Sequence, residues 1–237
     1  MAEADAALSR IMICLKDNGL ACFGRFAIEP GETADPAFHH LEGRPALLFG
    51  NAGSAMWQHF SASGESRDGM PDPMNRWTRR IVGEAVAPLS QTGQPPAECL
   101  FPFGERVWPF QRWAKRAMGL QSSPLGMLIH PEYGLWFALR AAIVLPAEVT
   151  VGGVVPEVQT GAHPCDTCDG RPCLSACPVG AYGEEGFNTA ACRGHLASGN
   201  RPDCMTQGCA ARDACPVGRK WRYEEAQLQF HMVAFGG

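Results

Sequence analysis

The sequence predicts an α+β protein with two parts, a mixed domain over residues 1–150 and a small cysteine-rich domain over residues 151–237. Three observations carry that expectation. Apolar spacing alternates between helical and strand-like periods through the first part. The cysteines are distributed unevenly: of eleven, Cys14, Cys22 and Cys99 are scattered, whereas Cys165, Cys168, Cys173, Cys177, Cys192, Cys204, Cys209 and Cys215 crowd one segment. Between the two regimes, the glycines and prolines of VGGVVPEVQTGAHP (151–164) replace the apolar run WFALRAAIVLP and mark the boundary.

The elements follow in order. AALSRIMICLKDNGL has helical spacing and ends in Asn18-Gly19, a C-terminal stop signal, and ACFGRFAI after it reads as a strand. PALLFGNAGSAMWQHF reads as strand, glycine turn and helix. Asp72-Pro73 offers an N-cap and a first-turn proline to a helix through MNRWTRRIVGEAVAPL. PFQRWAKRAMGL gives a further helix with its basic residues toward the end, and LWFALRAAIVL a buried strand.

The cysteine segment carries the most specific signal. Cys165-x2-Cys168-x4-Cys173-x3-Cys177-Pro178 ends in Cys-Pro-Val-Gly, and Cys204-x4-Cys209-x5-Cys215-Pro216 repeats that ending. Ferredoxins with two clusters use C-x2-C-x2-C-x3-C-P twice, the fourth cysteine of each run reaching the other cluster. Cys192 completes a set of eight thiols, the number two 4Fe-4S clusters need. The crossed pattern assigns Cys165, Cys168, Cys173 and Cys215 to one cluster and Cys177, Cys192, Cys204 and Cys209 to the other. The longer gaps also fall within zinc-ligand ranges, so two zinc sites of four cysteines each are the alternative. His163 and His195 lie among the cysteines as neighbours of the ligands rather than ligands.

Composition narrows the function classes. An apolar fraction of 46% with 19% charged residues belongs to an ordinary soluble globular protein, and a net charge of −4 gives no electrostatic reason to expect nucleic acid or an anionic membrane as partner. The N-terminal stretch lacks the basic start and long apolar core of a signal peptide, so a cytoplasmic location is expected. In that reducing compartment clustered cysteines are metal ligands sooner than disulfides.

SPLGMLIHPEYGLWFALRAAIVL (123–145), the two cysteine runs and FNTAACRGHLA between them resemble epoxyqueuosine reductase, a cobalamin-dependent iron-sulfur enzyme family of tRNA maturation; the order of parts agrees over roughly residues 95–220. HPEYGLWFALR is also similar to the cobalamin-processing proteins that strip the upper ligand from incoming vitamin. The resemblance implies a nitroreductase-like α+β corrinoid domain over residues 1–150, a ferredoxin-like dicluster domain over 151–237, and electron flow from the clusters to cobalamin. It also implies an external donor such as a flavodoxin, a ferredoxin or a reductase, and a corrinoid or small molecule as substrate. Flavin in place of cobalamin, and a plain electron carrier, are the alternatives. Where the family has an Asp-Ser-Ala-Pro stretch, PFGERVWPFQRW stands here, making Glu105 the nearest candidate proton donor.

Candidate cofactor contacts come from two stretches. His130 in a turn suits a corrinoid amide or a proton transfer, while Tyr133, Gly134 and Trp136 suit the wall of a flat macrocycle and Arg140 an anionic group; each is equally at home in turn or core. Gly50, Gly53 and Ser54 in GNAGS offer backbone N–H groups to a phosphate or nucleotide tail, or only the turn that glycine permits.

Overall fold

The computed structural model describes residues 2–33, 35–88, 97–147, 149, 155–156, 158, 161–183, 186–198 and 202–236. Half of the expected boundary segment, 151–164, lies outside them. In chain order the described elements are α1 (Ala2–Asp17), β1 (Ala21–Ala27), β2 (Pro45–Ala52), α2 (Ala55–Ser61), α3 (Pro73–Val86), β3 (Glu98–Leu100) and α4 (Phe110–Met118). β4 (Gln121–Ser122), β5 (Leu128–Ile129) and β6 (Phe137–Val144) come next. The cysteine segment adds α5 (Pro172–Ser175), β7 (Tyr182–Gly183), β8 (Gly186–Phe187), α6 (Thr189–Ala197), α7 (Pro202–Gln207), α8 (Ala210–Asp213) and α9 (Glu225–Gly236).

The chain divides into two compact units that interleave along the sequence. One comprises residues 1–119 and 138–159, the other residues 120–137 and 160–237. The HPEYG stretch therefore belongs to the same compact body as the cysteines.

In the first unit a four-stranded sheet has the order β1-β2-β6-β3, with β1 antiparallel to β2 and β3 antiparallel to β6. β2 is buried over Ala46–Ala52, as a central strand must be. α1 packs on β1 and α3, and α4 on β1 and β2. α3 buries Met74, Trp77, Thr78, Ile81, Val82 and Ala85, the apolar stripe of a 3.6-residue period. α4 buries Phe110, Trp113, Ala114, Ala117 and Met118 and stops at Gly119, which takes φ 69° as C-cap.

Two local expectations change. Asp72 does not cap α3 with its side chain: it sits in the left-handed region at φ 51°, and its carbonyl accepts the N–H of Arg76 instead. The strand through 137–144 is fully buried only from Ala141 onward, and Arg140, in its half-buried part, bonds Thr78 of α3.

In the second unit β4 pairs with β5 and β7 with β8, each pair antiparallel. α5 packs on α8, and α9 packs on α6 and α7.

Candidate metal centre

Two short helices set the spacing of the cysteines. α5 ends at Ser175 and Cys177-Pro178 follows; α8 ends at Asp213 and Cys215-Pro216 follows. Both Cys-Pro-Val-Gly stretches close on a glycine of positive φ, Gly180 at 57° and Gly218 at 72°. Arg171, at φ 40°, turns the chain into α5 from a conformation rarely adopted by a residue with a side chain.

The thiols influence one another in two sets. Burial pushes the Cys165 thiol pKa up, and Cys215, Cys173 and Cys168 push it further. Burial also leads for Cys173, followed by Cys215 and Cys168. For Cys192 the charges that add to burial are those of Cys209, Cys177 and Cys204. Cys177, Cys192, Cys204 and Cys209 line one cavity together with Val179, Tyr182, His195 and Met232. Backbone N–H groups point at the sulfurs: Ala181 donates to Cys177 Sγ at 3.3 Å, Leu174 to Cys173 and Val217 to Cys215. Such bonds to sulfur tune cluster potentials. Among the described residues, no three His, Cys, Asp or Glu side chains converge closely enough to hold one metal ion.

Neighbours of the thiols include residues that spacing alone did not single out. The Tyr182 hydroxyl lies 3.8 Å from Cys209 Sγ, and burial followed by the Cys209 charge pushes its pKa up. Its place two residues beyond Gly180 was the available signal. Arg212, between Cys209 and Cys215, donates from Nε and Nη2 to the Leu135 carbonyl and lies over Trp136 and Tyr223. His195 lines the second thiol set's cavity, and His163 Nδ1 is 3.7 Å from Asp166 while its Nε2 is buried.

Of the candidate corrinoid contacts, His130, Tyr133 and Gly134 come together in one turn of the second unit, while Gly50, Gly53, Ser54 and Arg140 belong to the first. His130 is 7% exposed, and its Nδ1 accepts the N–H groups of Glu132 at 3.0 Å and Tyr133 at 3.2 Å. The ring thus fastens the tight turn that ends in its bridge to Gly134, with its proton on Nε2 when neutral. Burial holds its pKa below the ordinary histidine value. Tyr133 stacks on it, centroids 4.1 Å apart. Trp136 is 1% exposed, edge-on to Tyr223, and is core rather than a macrocycle wall. Arg140 spends its donors on α3, bonding Thr78 Oγ1 at 2.8 Å and the Met74 carbonyl at 3.1 Å.

Gly50 serves the sheet: a Cβ there would collide with the Ala138 carbonyl. Gly53, at φ 56°, makes a turn whose carbonyl accepts from buried Asn51, and Ser54 begins a helix of only seven residues without a side-chain cap. Glu105 is exposed in the loop between β3 and α4. Cys22 and Cys99 are half-buried thiols whose pKa burial pushes up to about 11, too high for ready reactivity.

The first unit also holds an open cavity of about 670 Å³ lined by Pro102, Trp108, Phe110, Gln111, Arg112 and Lys115. Its lining mixes aromatic and proline side chains with the polar Gln111, Arg112 and Lys115.

No protein-family model matches the chain, and no curated protein sequence does. Solved structures do match in shape. A selenomethionine-labelled epoxyqueuosine reductase aligns at TM-score 0.58 and 16% identity, over 95% of this chain and 69% of that one. An epoxyqueuosine reductase solved with an epoxyqueuosine-modified tRNA-Tyr stem loop aligns at 0.54 and 15%, over 93% and 68%. The B12-trafficking protein CblC from C. elegans aligns at 0.51 and 16%, over 98% and 92%. The chain therefore has a mixed α and β fold of the kind that epoxyqueuosine reductase and CblC share.

Proposed function

We propose that this chain is an iron-sulfur redox protein in which two 4Fe-4S clusters deliver electrons to a corrinoid held by the α+β unit. The reductive chemistry acts on the cofactor, by removal of its upper ligand, or on a small substrate. The observation that carries the reading is geometric: Cys177, Cys192, Cys204 and Cys209 line one cavity, and Cys165, Cys173 and Cys215 pack together in one cluster. A tetrahedral zinc site needs all four sulfurs about 2.3 Å from one point, whereas a cubane offers a separate iron to each thiol. The paired Cys-Pro ends, for which a zinc site has no need, favour the cubane. Cys165, Cys168, Cys173 and Cys215 would hold one cluster, and Cys177, Cys192, Cys204 and Cys209 the other.

When bound, the clusters supply single electrons and the corrinoid a strongly reducing cobalt centre. The protein's own part is to exclude water, direct N–H groups at the sulfurs and present a ligand cavity. The cavity beside Trp108, Arg112 and Lys115 offers aromatic and cationic groups to a ligand, whereas the residues of HPEYG are committed to turn and core.

Epoxyqueuosine reduction proper is the second reading, favoured by the fold and by the neighbour solved with a tRNA stem loop. A nucleic-acid partner, set aside on net charge alone, returns with it: overall charge does not describe the local surface an RNA would meet. A flavin, or a carrier with no second cofactor, remains the competing assignment for the α+β unit.

Anaerobic purification with iron analysis tests the clusters, and two clusters require eight irons per chain. Zinc in place of iron overturns them. Titration with cob(II)alamin, read as a base-on to base-off spectral change, tests the corrinoid. No change, together with a bound yellow flavin, moves the assignment to flavin.

A further inference from the structure

The two Cys-Pro-Val-Gly ends are alike in backbone and unlike in cover. At the second end, Gly134 and Gly218 meet backbone to backbone: a Cβ on Gly134 would collide with the Val217 carbonyl, and one on Gly218 with Tyr133. Tyr133 stacks on His130 and meets Trp221 edge-on at 4.9 Å, so the turn lays an aromatic layer beside this end. Leu125, Ile129 and Leu135 pack in one apolar cluster with Cys173 and Cys215, which are 8% and 6% exposed. At the first end, nothing lies within 4 Å of where a Gly180 Cβ would be, and Val179 is 39% exposed. Cys177, Cys192, Cys204 and Cys209 are all half-buried, as are Cys165 and Cys168, so the difference in cover lies at Cys173 and Cys215.

We infer that the turn His130–Gly134 is a seal over the Cys215 end, so that the Cys165/Cys168/Cys173/Cys215 cluster is shielded from solvent and the Cys177/Cys192/Cys204/Cys209 cluster is the accessible one. This rests on the two-cluster reading. The residues of the turn act as positioning residues: they touch no iron, and they govern what reaches it. The sequence hides this asymmetry because the two endings are identical in letters; it arises where Gly134, in a segment well upstream of the first cysteine, meets Gly218 while nothing comparable meets Gly180.

The test is the rate at which a ferrous chelator removes iron from the reduced, anaerobic, full-length protein. Iron is expected to leave in two equal phases at least about tenfold apart in rate, a separation equivalent to about 1.4 kcal/mol of barrier. EPR at the end of the fast phase should show one cluster remaining. Tyr133→Ala and Gly134→Ala should quicken the slow phase toward the fast one. Gly180→Ala, which has a similar φ but meets nothing, should leave the slow phase unchanged. Tyr133→Ala introduces no clash, and far-UV circular dichroism shows whether each variant is folded. Full iron content released in a single phase, or a slow phase indifferent to Tyr133→Ala in a folded protein, overturns the seal while the two-cluster reading stands. A protein that binds no iron overturns both.

Discussion

Arg212 lies over Trp136, its guanidinium carbon 4.4 Å from the ring centroid, while its Nε and Nη2 both donate to the carbonyl of Leu135. One side chain from the helix between Cys209 and Cys215 thus grips the stretch that follows the HPEYG turn. Arg212→Lys keeps the charge and loses the planar fork and the stacking. The expected loss is about 1–3 kcal/mol of stability, read as a lower midpoint of thermal unfolding. The iron content of the folded fraction should stay the same.

Glu32 forms a second such lock, in the α+β unit. Its side chain is 3% exposed; Oε2 accepts from Trp113 Nε1 at 3.0 Å and from Arg116 Nη2 at 2.8 Å, and Oε1 accepts from Arg116 Nη1 at 2.8 Å. Burial alone pushes its pKa up, but the hydrogen bonds from Arg116, the Glu29 N–H and Trp113 together pull it below 4.5. A carboxylate whose folded pKa is depressed stabilises the fold above its unfolded pKa, and that stabilisation is lost as pH falls through the folded value. The protein should therefore lose stability as pH drops below about 4.5. Glu32→Gln should be less stable at pH 7 and should flatten this part of the pH profile, measured by urea unfolding at successive pH values.

Gly50 is a packing constraint. Because a Cβ would meet the Ala138 carbonyl and the Phe23 ring, Gly50→Ala should cost about 1–3 kcal/mol. Gly64→Ala, at a position with open space around it, should cost far less. Comparison of the two unfolding midpoints checks the point.

The ligand assignment has a direct consequence. Cys215→Ala and Cys177→Ala should each remove one cluster and spare the other, halving the iron content, because each cysteine would serve the set of the opposite run. Loss of all iron in both variants would instead point to a single cooperative metal site. Iron analysis with EPR distinguishes the outcomes.

Much of this was legible in the sequence, for identifiable reasons. β1, α3 and α4 announce themselves because each buries one side against the rest of its unit, and a one-sided environment imposes a period, while β2, buried on both faces, shows as a continuous apolar run. The repeated Cys-Pro-Val-Gly ending is likewise written in the letters. What spacing could not convey is allegiance. Leu125, Ile129 and Leu135 are apolar in either unit, and only their packing against Cys173 and Cys215 decides which. His130 looked equally suited to a cofactor and to a turn; the two N–H groups it accepts come from its own loop, and a histidine three residues before a tyrosine-glycine pair was the hint. Trp136 was ambiguous because its partner, Arg212, lies far along the chain, and long-range contacts leave no periodic trace.

The interleaving of the units bears on how the protein can be made or cut. β6, the neighbour of β2 in the sheet, is reached only after the excursion through residues 120–137. A nascent chain cannot finish its first sheet until it has already laid down the turn that the cysteines will need much later, at Gly218. Severing the polypeptide in the glycine-rich stretch near residue 151 would accordingly not yield two self-sufficient pieces: the cysteine-bearing fragment would leave its lid behind on the other.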